Sequence, residues 1–533
     1  MDFFYRWLLL LGAFTCVSQK TNAQSLLPNP DEFLPHRLGQ QFTPHHLLVD
    51  YFEALAKASE RVDLAQYGHT NEGRPLLLAF ISSPANLARL EDIRLNNLRR
   101  AGLAPGAPDP ALDLAIVWLS FSVHGNEASG AEASMGVAFD LANPEHPNSS
   151  KWLENTLVII DPVLNPDGND RYTHWYRSVA TRRPNAQPQA REQQEPWPGG
   201  RVNHYYFDLN RDWAWQTQLE SQHRLKVYQQ WMPHIHADLH EQGYTENYYF
   251  APAAPPFHDF ITPFQRSFQT DIGRNHARYF DRAGWLYFTR ERFDLFYPSY
   301  GDTYPTFNGA IGMTYEQAGL GQGTAVALPN QDTLTLLDRL SHHRTTALST
   351  VEIAHQQKKR LVEEFEKYFQ LSSKNPPGKY KTYVVSAKTP RGQLRSLLTL
   401  LDRNGIRYGR ASRSQTLDDA YHYRSCKDST AKVAAGDLLI SAYQPRAILT
   451  QVLFDPVPRL EDSVTYDITA WSIPEAFGLL AYASTQRLAI DEEAPFTLPP
   501  YPEDPLAGVS LAEVYAFILP WEDSAAHNLQ LLS

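Results

Sequence analysis

His124 and Glu127 stand three residues apart in FSVHGNEASG, the spacing at which an imidazole and a carboxylate can converge on one cation. Both are good ligands for Zn²⁺, and a catalytic zinc needs a third protein ligand and an open position. HIHADLHEQG (234–243) offers the third, because His234, His236, Asp238 and His240 alternate and would share one face of a strand. His234 and His236 read as core histidines. His240, followed by Glu241, Gln242 and Gly243, falls at the strand's end, where it can reach a cation shared with His124 and Glu127. Further on, AIGMTYEQAG ends an apolar strand on Glu316. A carboxylate in such surroundings is costly unless something uses or pairs it. Its chemical use would be as a general base beside an activated water, its pKa raised by burial and lowered again by the cation.

These residues need elements to position them. The apolar runs 76–82, 114–123, 155–164, 234–240, 284–289 and 310–317 read as strands, and helix-like stretches at 219–232 and 263–284 lie among them. The alternation predicts an α/β fold, with a mixed, largely parallel central sheet flanked by helices. Ligand sites in such folds gather at the carboxyl ends of strands, where His124, His240 and Glu316 fall. RRPNAQPQAREQQEPWPGG (182–200) has no hydrophobic periodicity and reads as an inserted loop. One long helix over 333–370 closes the unit, and SSKNPPGK (372–379) is a linker by composition. Beyond it, YKTYVVSAK, RGQLRSLLTLLDRNG and IRYGRAS read as strand, helix and strand. The expected organisation is a catalytic domain over 24–375 and a smaller C-terminal α/β accessory domain over 376–533.

With 43% hydrophobic and 20% charged residues, the chain has the composition of a folded protein. A net charge of −11 excludes a general basic field, so nucleic acid is not expected as a partner. The N-terminus has Arg6, an apolar stretch from Trp7 to Val17, and Ala23 before Gln24. That pattern predicts a secretory signal peptide over 1–23, cleaved after Ala23, and a secreted or periplasmic protein. No later run is long enough for a transmembrane anchor. Loss of Cys16 with the leader would leave Cys426 alone, so no internal disulfide is expected. No stretch of domain size separates Ala23 from the catalytic region, so a folded pro-domain is not expected there.

On these motifs the chain resembles the zinc carboxypeptidase family, whose familiar members are the pancreatic carboxypeptidases. The resemblance covers roughly residues 43–325 and implies a secreted, bacterial-type member. HGNE matches the family's His-x-x-Glu, and His240, 113 residues after Glu127, matches its distal histidine. NPDG (165–168), FDLNRDW (207–213) and TYEQAG follow the family's order. The resemblance implies that His124, Glu127 and His240 hold one Zn²⁺, with Asp208 orienting His124. It makes Asn210 and Arg211 the clamp for a substrate's terminal carboxylate, which a guanidinium binds through two parallel hydrogen bonds. Glu316 becomes the general base. Arg177 is preferred over Arg171 as the carbonyl-polarising arginine, because Arg171 lies so close to the NPDG turn. In FYPSYGDTYP (296–305), Tyr297 best fits the substrate-contacting tyrosine, with Gly301 at the matching offset and Tyr300 as the alternative.

The implied activity is a metallocarboxypeptidase that removes residues from peptides or proteins with a free C-terminus. The alternative is a zinc amidase on the same scaffold, acting on peptidoglycan stem peptides or N-acyl amino acids. A barrel hydrolase using His234 and His236 would leave His124, Glu127 and DLNRD without a role. A non-catalytic peptide-binding protein would not need Glu316 beside three ligands.

Overall fold

The computed structural model describes residues 27–460, 465–466, 471–491, 496–498 and 515–516, so the expected leader, 1–23, lies outside the described residues. The apolar runs form an eight-stranded sheet. Its strands are β1 (Val62–His69), β2 (Pro75–Ile81), β3 (Ala115–Phe121), β4 (Thr156–Asp161), β5 (Ile235–Gln242), β6 (Tyr248–Tyr249), β7 (Tyr287–Phe288) and β8 (Ile311–Ala318). Their order is β1-β2-β4-β3-β5-β8-β6-β7. The centre, β4-β3-β5-β8, is parallel. β1, β2 and β6 join it antiparallel. The fold is thus mixed α/β with a parallel centre.

Every residue of β3, β4 and β5 is buried, which is why they read as unbroken apolar runs. Their side chains still alternate between two cores. Val117, Leu119, Val158 and Ile160 pack on one face, beneath Ala133, Val137 and Leu141 of the helix Ser129–Ala142. Ile116, Trp118, Leu157 and Ile159 pack on the other, with Leu225 and Tyr228 of the helix Leu219–Trp231. β1 is absent from the predicted strands because only Val62 of its eight residues is buried, which leaves no periodic signal. The single helix expected over 333–370 is two, Leu336–Gln356 and Lys358–Lys374, separated at Gln357. The break has a packing reason: Leu340, Ala347 and Val351 serve the first core, whereas Phe365 and Phe369 serve the second.

A second, seven-stranded sheet follows, with Thr382–Val385 in its interior and every pairing antiparallel. The expected strand–helix–strand is present as Thr382–Val385, Arg391–Arg403 and Gly409–Ala411. Leu438–Ser441 lies between the two strands and runs antiparallel to both. Leu394, Leu397 and Leu401 from this helix join the cluster that holds Trp118, Trp213 and Tyr304, so the two sheets share one continuous core. Among the described residues, no helix is long and apolar enough to cross a membrane.

Candidate active site

The loop leaving β3 carries the first two donors. Ser122 turns the chain through the left-handed region (φ 53°), and its hydroxyl donates to the Glu127 carbonyl at 3.1 Å. Gly125 packs so closely on the next segment that a Cβ there would lie 2.2 Å from the Asn169 amide nitrogen. That segment is NPDG, which is more than a turn. Asn165 caps the helix Pro166–Val179 by accepting from the Gly168 N–H at 3.0 Å, and Asn169 donates to the Gly125 carbonyl at 3.0 Å. The helix start thus buttresses the HGNE loop.

The parallel register sets Leu239 of β5 beside Phe121 of β3, which brings His240 to His124. One donor atom each from His124, Glu127 and His240 lies within 4.8 Å of the others. The Glu127 carboxylate is 2.7 Å from His124 Nδ1 and 3.0 Å from His240 Nδ1, and it also accepts from the Glu241 N–H at 3.0 Å. Both outer imidazole nitrogens face carboxylates. His124 Nε2 is 3.0 Å from Asp208 Oδ1, and His240 Nε2 is 2.9 Å from Asp238 Oδ2. Two imidazoles oriented by aspartates, plus one buried carboxylate, are a donor set that suits zinc.

The electrostatics follow from this burial. Burial alone would raise Glu127 and Asp208, but His124 and its neighbours hold both carboxyls well below the usual range. Burial would lower His240, yet Asp238 and Glu127 raise it well above an ordinary histidine. Glu316 sits beside His240 in the β5–β8 register. Burial pushes it up to about 8, with His240 lowering it and Glu127 raising it. A bound cation would lower Glu316 towards neutrality.

These groups open into one cavity of about 550 Å³ whose walls also include Asn210, Arg211, Arg201 and Tyr300. Asn210 Nδ2 is 3.3 Å from His240 Nε2, and its Oδ1 accepts from the Gly301 N–H at 2.8 Å. The Arg211 guanidinium lies 4.5 Å from the Tyr300 ring centroid. Gly301 must be glycine, since a Cβ would lie 1.9 Å from Asp238 Oδ2.

Residues 48–235 match the family model for zinc carboxypeptidases. This segment is similar to zinc carboxypeptidases. The matched segment includes His124, Glu127, Asp208, Asn210 and Arg211, while His240 and Glu316 lie beyond it. Carboxypeptidase 2 of Trichophyton tonsurans is 27% identical over 125 residues, 24% of this chain and 18% of that protein. The chain therefore spans under a fifth of the length of this curated relative. Among solved structures, a metallo-carboxypeptidase from Burkholderia cenocepacia has a TM-score of 0.38 at 17% identity, covering 59% of this chain and 68% of that one. Carboxypeptidase A from Helicoverpa armigera has a TM-score of 0.39 at 15% identity, covering 62% and 75%.

Two expected residues fall elsewhere. Arg177 is exposed in the last turn of the helix Pro166–Val179 and is not among the cavity-lining residues. Arg171 donates to the Gly199 and Asn203 carbonyls, which brace the inserted loop. Arg201 lines the cavity where Arg177 and Arg171 do not, 3.0 Å from Asp208 Oδ2 and 3.6 Å from Glu127 Oε1. The inserted loop hid it, because the 182–200 stretch carries this arginine far downstream of NPDG. Its signal is its place seven residues before Asp208. Tyr297 is buried and its hydroxyl accepts from Trp215 Nε1 at 2.8 Å, so Tyr300 is the tyrosine of that pair that lines the cavity. The sequence places Asp238 on the His240 face, and the structure sets its Oδ2 2.9 Å from His240 Nε2. His234 accepts from the Ile116 N–H at 3.0 Å, and His236 packs on Trp118 and Trp213, both within the core.

Proposed function

We propose that this protein is an exported zinc-dependent metallocarboxypeptidase that hydrolyses the last peptide bond of chains with a free C-terminus. The observation that carries this reading is a single cavity shared by the His124–Glu127–His240 donor set, Glu316, and the Asn210–Arg211 pair. His124, Glu127 and His240 would hold one zinc, which when bound supplies a Lewis acid and lowers the pKa of a coordinated water. Glu316 takes the proton from the attacking water and returns it to the leaving amine nitrogen. Burial makes its carboxyl basic enough for both transfers. Arg201 donates N–H bonds to the oxyanion that develops on the scissile carbonyl. Arg211 and Asn210 bind the substrate's terminal carboxylate and so hold the last peptide bond beside Glu316.

Glu316→Gln should keep its zinc while turnover of N-acyl dipeptides falls by about 10²–10⁴-fold, the usual scale of general-base loss. Undiminished turnover would overturn the assignment. Arg211→Ala should impair substrates with a free C-terminus far more than C-terminally amidated ones. Equal losses on both would favour an amidase on this scaffold, and release of stem-peptide fragments from peptidoglycan would identify its substrate. Export is tested by N-terminal sequencing of the mature protein, which should begin at Gln24.

A further inference from the structure

The carboxypeptidase domain does not close its own cavity. Tyr466, which lies between the helices Ala447–Phe454 and Ile473–Ala476 of the C-terminal region, lines the cavity alongside Arg211 and Glu316. Its backbone N–H donates to Asp294 Oδ2 at 2.6 Å. Its ring packs on Phe293 (centroids 5.4 Å apart) and edge-on to Tyr300 (6.3 Å), the ring that supports Arg211. Five residues on, Trp471 donates from Nε1 to the Val452 carbonyl at 2.9 Å. Its ring stacks edge-on against Phe296 and Tyr297, at 5.0 and 6.0 Å.

Exposure separates these rings by role. Tyr297, Tyr300 and Trp471 are 4–6% exposed and form a small core, whereas Tyr466 is 52% exposed although it is held by a hydrogen bond and two rings. An aromatic side chain that lines a cavity with half its surface exposed has contact area left for a ligand. It lines the same cavity as Arg211, the residue proposed to bind a substrate's terminal carboxylate. The electrostatic surroundings of its hydroxyl agree: after burial, the groups that act on it are Glu316, Arg211, Arg201 and His240.

We propose that Tyr466 is a substrate-contacting residue of the peptidase cavity, so that the region after the linker completes the substrate site. This rests on the peptidase reading above. The ring supplies an apolar face for the substrate's terminal side chain.

The test uses the zinc-loaded full chain and an N-acetyl dipeptide with an aromatic terminal residue. Binding is measured by calorimetry on Glu316→Gln with and without Tyr466→Ala, and KM and kcat are measured on Tyr466→Ala and Tyr466→Phe. Loss of the ring should weaken binding and raise KM by about tenfold, the scale of one aromatic contact. Tyr466→Phe should stay close to wild type in KM, and zinc content and melting temperature should not change in either variant. Unchanged binding and KM in Tyr466→Ala, with wild type active, would overturn the role of Tyr466 alone. A zinc-loaded wild type that neither binds nor cleaves the dipeptide would overturn the peptidase reading and this inference with it. A fall in zinc content or melting temperature matching the fall in affinity would make Tyr466 a structural residue and also overturn it.

Discussion

At the scale of residues, the site is a set of charges arranged to restrain one another. His124 sits between Glu127 and Asp208, His240 between Glu127 and Asp238, and Arg201 spans Asp208 and Glu127. Each ring nitrogen that faces away from the donor cluster lies beside an aspartate oxygen, at 3.0 Å for His124 and 2.9 Å for His240, while Nδ1 of each ring faces the cluster. Of Arg171, Arg177 and Arg201, Arg201 alone shares this network. Arg201→Ala should therefore lower kcat/KM by about 10²–10³-fold, the scale of losing an oxyanion donor. Arg177→Ala, on an exposed helix end, should leave steady-state kinetics unchanged. Comparable losses in both variants would remove Arg201 from the proposed role. His124, Glu127, His240 and Glu316 were legible in the sequence because each sits at the end of a strong apolar strand. Arg201 was not, since an insertion moved it and an arginine in a loop has no periodicity to mark it.

At the scale of elements, two contacts anchor the donor loop. The first is the close approach of Gly125 to the start of the helix Pro166–Val179. Gly125→Ala forces backbone against backbone, so zinc stoichiometry and melting temperature should fall together. Full zinc loading in a normally stable Gly125→Ala protein would argue that the loop accommodates freely. The second lies on the helix after Glu127, where Glu132 accepts from the Thr43 N–H at 2.6 Å and the Thr43 hydroxyl at 3.0 Å. Burial raises Glu132 to about 7 from an ordinary 4.5, against the lowering effect of those bonds. A folded-state pKa raised in this way contributes stability that is present below about pH 4.5 and is lost as pH rises through about 7. Glu132→Gln does not titrate, so its melting temperature should gain on wild type across that interval. A constant difference from pH 4 to 8 would show that folding does not shift the Glu132 pKa. Helix starts such as Asn165 were legible as turn chemistry. The strand β1, largely exposed, was not.

At the scale of the whole molecule, the two sheets are joined through buried polar groups as well as a common core. Asn404, at the end of the helix Arg391–Arg403, donates to the Ala214 carbonyl at 3.0 Å and accepts from the Tyr304 hydroxyl at 2.9 Å. Ala214 follows the Asn210–Arg211 pair and Tyr304 follows Gly301, so this one side chain ties the C-terminal region to both walls of the cavity. Asn404→Ala strands both partners in the core and should cost about 2–4 kcal/mol, measured by denaturant unfolding. For the same reason a chain ending at residue 375 should fail to fold as a soluble unit. A stable, zinc-binding fragment over 24–375 would show instead that the expected division marks two independent domains.

The sequence by itself determined the parallel centre of the first sheet and the order of the chemical groups along it. Buried strands write long apolar runs into a chain, and donors at their ends stand out against that background. Only the tertiary structure decided which arginine and which tyrosine face the cavity, and that a residue from beyond the linker reaches it. Those choices depend on how loops and sheets pack across large sequence separations, and local periodicity carries no record of that packing.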